Sequence, residues 1–409
     1  MASYKKLNEE DRDICESAIF DALIADRKTG QTSQNESAHS NASKMRSLES
    51  LLERVTEESY PELVPKLTET QHNQIMGSDR DRSHRRYILE SLPSSFYIVK
   101  ELPNKYYYSE TVEVFISHCK VHSTLLIDSS FHFFCQNPAK YFNVFGEPSY
   151  ERIREFVNKF IRELHQRLRN PKTRKKILDR RRAIEKNYQE LIEYVDGLFA
   201  RNARLLVLRI DLAYKKYLNV SVEDLAKDLD HLHANMRHNR QFHHLVGYIE
   251  KIEYGVEKGV HAHLILFFDG SKRKNDSYLA KEIGEYWHSQ ITKEQGNYWN
   301  CNDPENKKQL KNIGRLGIGE IHAEDKEKRD NLNYIIRYFC KKEQFIKLKT
   351  KPKMKLIRKG QCPKQIGPKR GAPRASQRIV QSPHAIGDRP AFSNGFPYWG
   401  LPFVPQLSL

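Results

Sequence analysis

The pattern that most restricts the fold lies at residues 245–268, where two strand-like runs are joined by a short turn. LVGYIEKIEY (245–254) alternates as a strand does, GVEKG (255–259) has turn chemistry, and VHAHLILFF (260–268) is a second strand. Strands joined so closely pair antiparallel, because a parallel pair needs a crossover of a dozen or more residues. A third β-rich run, LLVLRIDL (205–212), comes before them. Between it and the hairpin, SVEDLAKDLDHLHANMR (221–237) reads as a helix, with Ser221 able to cap it and Leu225, Leu229, Leu232 and Met236 on one face. The order strand, helix, strand, turn, strand predicts an antiparallel sheet with a helix packed on one side, an α+β layer.

Upstream of residue 203 the period is helical. Ile153, Phe156, Val157, Phe160, Ile161, Leu164 and Leu168 recur at spacings of three and four, and Ile184, Tyr188, Leu191, Ile192, Val195 and Phe199 repeat the pattern after Asn170-Pro171 interrupts it. Residues 87–200 are therefore expected to be mostly helical, with 101–150 ambiguous between helix and strand. The basic run RNPKTRKKILDRRR (169–182) reads as a solvated loop of this helical hairpin, or as a DNA-facing turn. Residues 1–86 read as a peripheral segment with a polar linker (28–44), one short helix around 45–55 and a solvated charge run (78–86). Residues 201–350 hold the sheet, and 351–409 read as a basic and then Pro/Gly-rich tail.

The 409 residues include 69 Lys+Arg against 52 Asp+Glu, a formal net charge of +17. Such an excess points to a polyanionic partner, most often nucleic acid. No apolar run approaches the ~18 residues that span a bilayer, and the acid-rich start has no continuous apolar core, so membrane insertion and secretion are not expected. Six cysteines without a CxxC pair argue against a zinc ribbon or a disulfide framework and fit a reducing cytoplasm.

Two constellations carry chemistry. In a strand, side chains two apart point to the same face, so His261 and His263 project side by side with Cα atoms about 6–7 Å apart. That arrangement suits two ligands of one divalent metal, whereas His231 and His233 in the expected helix lie about 200° apart. Pairing across the turn brings Glu253 beside the histidines. Glu250 faces the opposite way, and Glu257 sits in the turn. Two histidines and a carboxylate suit Mg²⁺ or Mn²⁺ with open positions for phosphate oxygens. Read alone, a histidine on a strand beside apolar residues is more often a satisfied core residue, and Glu253 is equally a surface carboxylate.

The second constellation is NLNYIIRYFCKKEQF (331–345). On a helical wheel Leu332, Ile335, Ile336 and Phe339 share one face, while Tyr334, Tyr338 and Lys341 cluster on the other. Those tyrosines either stack on bases or supply a nucleophile, with Lys341 to stabilise charge or orient a phosphate. Nearly every charged residue from Lys341 to Arg378 is basic, Glu343 excepted. If extended, Lys347, Lys349, Lys351, Lys353 and Lys355 fall on one face and, with Lys342, Arg358 and Lys359, form a candidate track for phosphates. The alternative for this stretch is a loose basic tail.

LRIDL (208–212), HAHLILFF (261–268) and Tyr338-Phe339-Cys340-Lys341 together resemble the three motifs of HUH endonucleases, the rolling-circle initiators and relaxases. LRIDLAY, KIEYGVEKGVHAHLILFFDGS, GNYWNCN, GIGEIHAEDKEKRDNLNYIIRYFCKKEQ and KRGAPR are similar to the inovirus-type replication proteins of bacterial prophages, over roughly residues 195–375. The resemblance implies a Rep-like central antiparallel sheet flanked by helices. It implies His261, His263 and Glu253 as ligands of a divalent metal, and Tyr338 as nucleophile, with Tyr334 a second candidate because Tyr-x-x-x-Tyr resembles two-tyrosine initiators. The implied role is nicking and religating single-stranded origin DNA through a 5′-phosphotyrosine, in the cytoplasm of a bacterial host. The free 3′-OH would prime the host polymerase. With no GxxxxGK[ST] motif in the chain, unwinding would fall to a host helicase. The competing readings are a non-catalytic basic DNA-binding regulator, and a plasmid relaxase or transposase with the same chemistry.

Overall fold

The computed structural model describes residues 47–57, 62–66, 79–102, 104–122, 129–216, 218–255, 259–341, 343, 346–352 and 354–361. The polar linker (28–44), the segment 374–409, Glu257, Cys15 and Cys362 lie outside the described residues. The N-terminal half is built of helices α1 (47–57), α2 (Asp79–Glu101), α3 (Glu110–Val121), α4 (Ser129–Gln136), α5 (Pro138–Arg169) and α6 (Pro171–Arg201), with one short strand, β1 (Tyr106–Tyr108). The sheet follows, as β2 (Arg204–Tyr214), β3 (Leu245–Gly255), β4 (Gly259–Asp269), β5 (Gly296–Asn300) and β6 (Gly319–His322). Helices α7 (Val222–Asn235), α8 (Asp276–Tyr286), α9 (Pro304–Asn312) and α10 (Lys326–Lys341) alternate with these strands, and β7 (Ile346–Leu348) and β8 (Ile357–Lys359) come last. The class is α+β.

Strand order is β5-β2-β4-β3-β8, with β6 also paired to β2, and every pairing is antiparallel. β2 and β4 are central, and over much of their length apolar on both sides, as strands covered on both faces are. One face presents Leu206, Leu208, Ile210 and Leu212 of β2 and Ala262, Leu264, Leu266 and Phe268 of β4. It packs against Leu225 and Leu229 of α7 and Ile283 of α8, in a core continuous with the N-terminal helices. The other face presents Leu205, Val207, Ile249, Ile265 and Phe267 to α6 and α10. Farther along that second face the alternation places Arg209, Asp211, Lys251, Glu253, His261 and His263. The face is apolar at one end and ionisable at the other, and α10 lies across the boundary.

Three segments differ from the expectation. The stretch read as peripheral contributes core: Leu48, Leu51, Leu52, Val55, Leu63 and Val64 are at most 1% exposed. The four in α1 stand at i, i+3, i+4 and i+7, a full apolar stripe. Asn158 of α5 grips the following segment, accepting from Val64 N–H and donating to Val64 C=O, both at 2.9 Å. The basic run 169–182 is not a loop. Asn170 accepts from Lys172 N–H, Pro171 opens α6, and the run continues as helix. Its Arg180 turns inward, donating to the carbonyls of Tyr108 at 2.6 Å and Glu343 at 3.0 Å and pairing with Glu110 at 3.1 Å. The start of the basic tail is also structured, since β8 pairs with β3 and Leu356 is buried; just before it, β7 pairs with β1. No helix among the described residues is long and apolar enough to cross a membrane.

Candidate metal centre and tyrosine helix

The register of the hairpin sets the centre. Glu253 lies directly opposite His261 across β3 and β4, and His263 opposite both Lys251 on β3 and Asp211 on β2. Glu253, His261 and His263 are 5–6% exposed. The Nε2 atoms of His261 and His263 stand 3.9 and 3.5 Å from the same Glu253 Oε2. All three prospective ligand atoms lie within 4.8 Å of one another. Each imidazole has its other nitrogen occupied: Nδ1 of His261 donates to Gly259 C=O at 3.1 Å, and Nδ1 of His263 to Asp211 Oδ1 at 2.6 Å. With Nδ1 committed in both rings, Nε2 is the nitrogen that faces the carboxylate, and the one a metal would take in place of a proton. Glu250, on the opposite face, is fully buried and pairs with His233 at 3.0 Å and Arg358 at 3.5 Å.

The charge around His263 favours a cation. Burial pushes its pKa down, but Asp211 and then Glu253 outweigh this and hold it above the ordinary imidazole value. A buried site with two carboxylates about one imidazole fits a divalent ion flanked by a supporting acid. A second cluster, His118, His122 and Glu163, fits poorly. His118 Nε2 meets Phe160 C=O at 3.0 Å and its Nδ1 meets the Arg167 guanidinium at 3.1 Å, so a cation already occupies one ring nitrogen.

α10 brings the tyrosines. Its buried face carries Leu332, Ile336, Phe339 and Cys340, while Ile335, expected in that stripe, is only half-buried. Phe339 reaches beyond the apolar core to stack on the His263 ring, with centroids 5.4 Å apart and planes 20° apart. Its neighbour Tyr338 is half-buried and close enough to Arg209 to act on its charge. Arg209 is half-buried beside α10, with its guanidinium 5.6 Å from the Phe339 ring centre and Nε 3.4 Å from Asp211. Burial opposes its charge, but Asp211, Cys301 and Tyr338 hold its pKa above the ordinary arginine value. Tyr334 lies one turn back, with the Arg315 guanidinium 4.3 Å from its ring centre. Lys341 is the last residue of α10, but its side chain lies outside the description, as does Lys342 entirely.

Two contacts fix the height of α10. A Cβ on Gly317 would stand 2.5 Å from Leu332 N and 2.6 Å from Asn331 C, so only glycine permits this approach of loop to helix. Just past the helix, Glu343 takes the Lys251 ammonium in an ion pair. Lys251 is 3% exposed, on the face and strand that carry Glu253. Burial raises the Glu343 pKa, but Lys251 more than offsets this and leaves it below the usual carboxylate value.

The expected phosphate track is largely spoken for within the chain. Lys347 lies 3.9 Å from Glu343, Lys349 sits 5.1 Å from the Tyr107 ring centre, and Lys351 pairs with Glu223 at 3.6 Å. Arg358 pairs with Asp230 at 2.7 Å, and Lys359 donates to Glu190 C=O at 2.9 Å. Lys355 is exposed, and Lys353 lies outside the described residues.

Asp211, Arg209, Lys251 and Glu343 were not singled out from the sequence. For the first two a signal existed: in LRIDL they alternate with apolar residues, putting two charges on one face of an otherwise apolar strand.

Residues 168–355 match the family model described as the YagK/YfjJ C-terminal domain. This span includes α6, α10 and the whole six-stranded sheet except its edge strand β8. No curated protein and no solved structure matches the chain.

Proposed function

We propose that the protein is a metal-dependent nuclease for single-stranded DNA, with Tyr338 as its nucleophile, that starts rolling-circle replication at an origin. The observation that carries this reading is the stacking of Phe339 on His263, which holds the turn of α10 bearing Tyr338 over the His–His–Glu cluster. A tyrosine beside a buried divalent-ion site is the minimum set for strand transfer through a phosphotyrosine.

His261, His263 and Glu253 would hold Mg²⁺ or Mn²⁺, and when bound the ion supplies charge stabilisation at the phosphate oxygens. Asp211 keeps the His263 tautomer that leaves Nε2 available. The Tyr338 oxygen attacks phosphorus and gives up its proton. The bond to the 3′ oxygen breaks, and that oxygen takes up a proton. The products are a 5′-phosphotyrosine and a free 3′-OH, and the reverse attack religates the strand without an energy source. Arg209, half-buried and close enough to Tyr338 for their charges to interact, favours the phenolate as it forms. Lys341, at the helix end, is assigned to orient the phosphate.

The test is covalent capture. Single-stranded oligonucleotides labelled at the 3′ end are incubated with the protein and Mn²⁺, then run on denaturing gels. A 5′-phosphotyrosine leaves the label on the protein, and Tyr338→Phe abolishes that band while retaining DNA binding. Adduct that survives in Tyr338→Phe but vanishes in Tyr334→Phe would transfer the role to Tyr334. Binding without any adduct in the unaltered protein would favour a regulator.

A further inference from the structure

A cavity of about 470 Å³ opens at the other end of the sheet, lined by Arg240, His243, His244, Lys272, Lys274 and Tyr278 among others. β4 separates it from the His–Glu cluster. The six residues from His263 to Asp269 span roughly 20 Å, and the lining begins just beyond Asp269. We propose that this cavity is a second nucleic-acid contact, binding phosphodiester groups of the strand at a distance from the cleavage centre.

Three observations carry the assignment. The first is charge: of the four fully basic side chains in the lining, Arg273 is engaged with backbone carbonyls, while Arg240, Lys272 and Lys274 are exposed and form no salt bridge among the described residues. This contrasts with Lys347, Lys351 and Arg358, whose charges are met within the chain. The only acid in the lining, Glu282, accepts from Tyr278 Oη at 3.0 Å. Cations placed close together without counterions repel one another, and a polyanion relieves that cost.

The second is construction. Arg273 Nη2 donates to the carbonyls of Arg240 at 3.2 Å and Gln241 at 2.7 Å, clasping the turn before β3 to the turn after β4. His244 (φ +69) and Asn275 (φ +60) are held in the left-handed region, uncommon for residues other than glycine. Asn275 is also the N-cap of α8 without a side-chain cap bond, so that helix end offers backbone N–H groups to an anion. Asp276 in the first turn does not cancel this, since Lys307 takes both its oxygens at 2.7–2.9 Å.

The third observation selects a nucleic-acid strand over a small anion. Tyr278, 63% exposed at the rim, is a flat aromatic beside the cations, the pairing that lets a base stack while its phosphate is neutralised. The proposal rests on the DNA-processing reading only for the identity of the polyanion, and requires no cleavage.

The experiment uses the full chain in EDTA, with fluorescent 30-nucleotide single strands and fluorescence anisotropy over a range of salt. The triple variant Arg240→Gln, Lys272→Gln, Lys274→Gln is expected to bind at least tenfold more weakly, with a salt slope smaller by about 2, near 0.7 for each phosphate no longer neutralised. Lys272→Arg with Lys274→Arg is expected to bind as the unaltered protein does, which separates charge from folding. An unchanged affinity and slope in the triple variant would overturn the proposal. So would saturable binding of inorganic phosphate, by calorimetry, that the triple variant loses while oligonucleotide binding stays intact. Because binding is read without metal, failure of the Tyr338 adduct would count against the nuclease reading alone.

Discussion

Asp211 on β2 and His263 on β4 face each other across the centre of the sheet, and the carboxylate accepts a 2.6 Å hydrogen bond from imidazole Nδ1. The bond does two things at once. It points Nε2 at Glu253, and it supplies negative charge one step behind the prospective ligand. Removing a supporting acid of this kind typically weakens metal affinity 10–100-fold. Asp211→Ala is therefore expected to weaken Mn²⁺ binding by that factor in titration calorimetry while leaving the circular dichroism spectrum unchanged. Equal affinity would mean that Asp211 does not support a metal ligand.

Phe339 joins the core to the His–His–Glu cluster, and its replacement should be felt in both. It is fully buried, so Phe339→Ala is expected to cost about 3–5 kcal/mol in urea unfolding. Phe339→Leu keeps most of the volume and loses the ring. It should unfold only slightly earlier, yet form the covalent adduct far more slowly, because nothing then holds the Tyr338 turn against His263. Adduct formation at the original rate in Phe339→Leu would separate α10 from the chemistry.

The Lys251–Glu343 pair ties the strand of Glu253 to the end of the tyrosine helix. Removing one partner of a buried pair leaves a charge without compensation and costs roughly 3–5 kcal/mol. Lys251→Met and Glu343→Gln should each destabilise strongly, and the double variant by less than their sum. A double-mutant cycle by chemical denaturation measures this coupling, and strict additivity would show that the pair contributes nothing.

His118 gives the protein a predicted acid lability. It is 1% exposed, and burial first, with His122 and Arg167 adding to it, lowers its pKa from 6.5 to about 4 despite the Phe160 carbonyl and Glu163. The folded state thus binds this proton less readily than the unfolded chain. The stability it contributes is complete above pH 6.5 and falls away as the pH drops toward 4, by at most about 3 kcal/mol. His118→Gln should flatten the pH dependence of stability across that window.

The strands, the hairpin register and the α7 stripe were legible because alternation, and recurrence at three and four, report directly on which face is buried. Ser221 accepts from Asp224 N–H, as a cap should. The placing of Glu253 beside His261 also followed from counting across a short turn. What could not be read was long-range. Nothing in the string LESLLERV states that Leu48 and Leu52 enter a core shared with strands more than 150 residues away. Nor does alternation in 347–359 reveal that Arg358 meets the Asp230 carboxylate and Lys359 the backbone carbonyl of Glu190. The ionisable residues of β2 obeyed the same parity rule as the histidines. They went unread because that parity does not say what a strand charge faces, and only Asp211's position opposite His263 does.

Arg180 gives the helical half a role that its place in the chain does not announce. Its guanidinium binds the carbonyls of Tyr108 and Glu343 and the carboxylate of Glu110, while Tyr106 donates to Tyr254 C=O, one residue from Glu253. Like a keystone, this arginine locks three stretches of chain that meet around the hairpin tip. The described helices and strand before β2 therefore brace the hairpin end of the sheet. A fragment beginning at the first sheet strand would keep every proposed reactive group and lose the masonry that holds them in register.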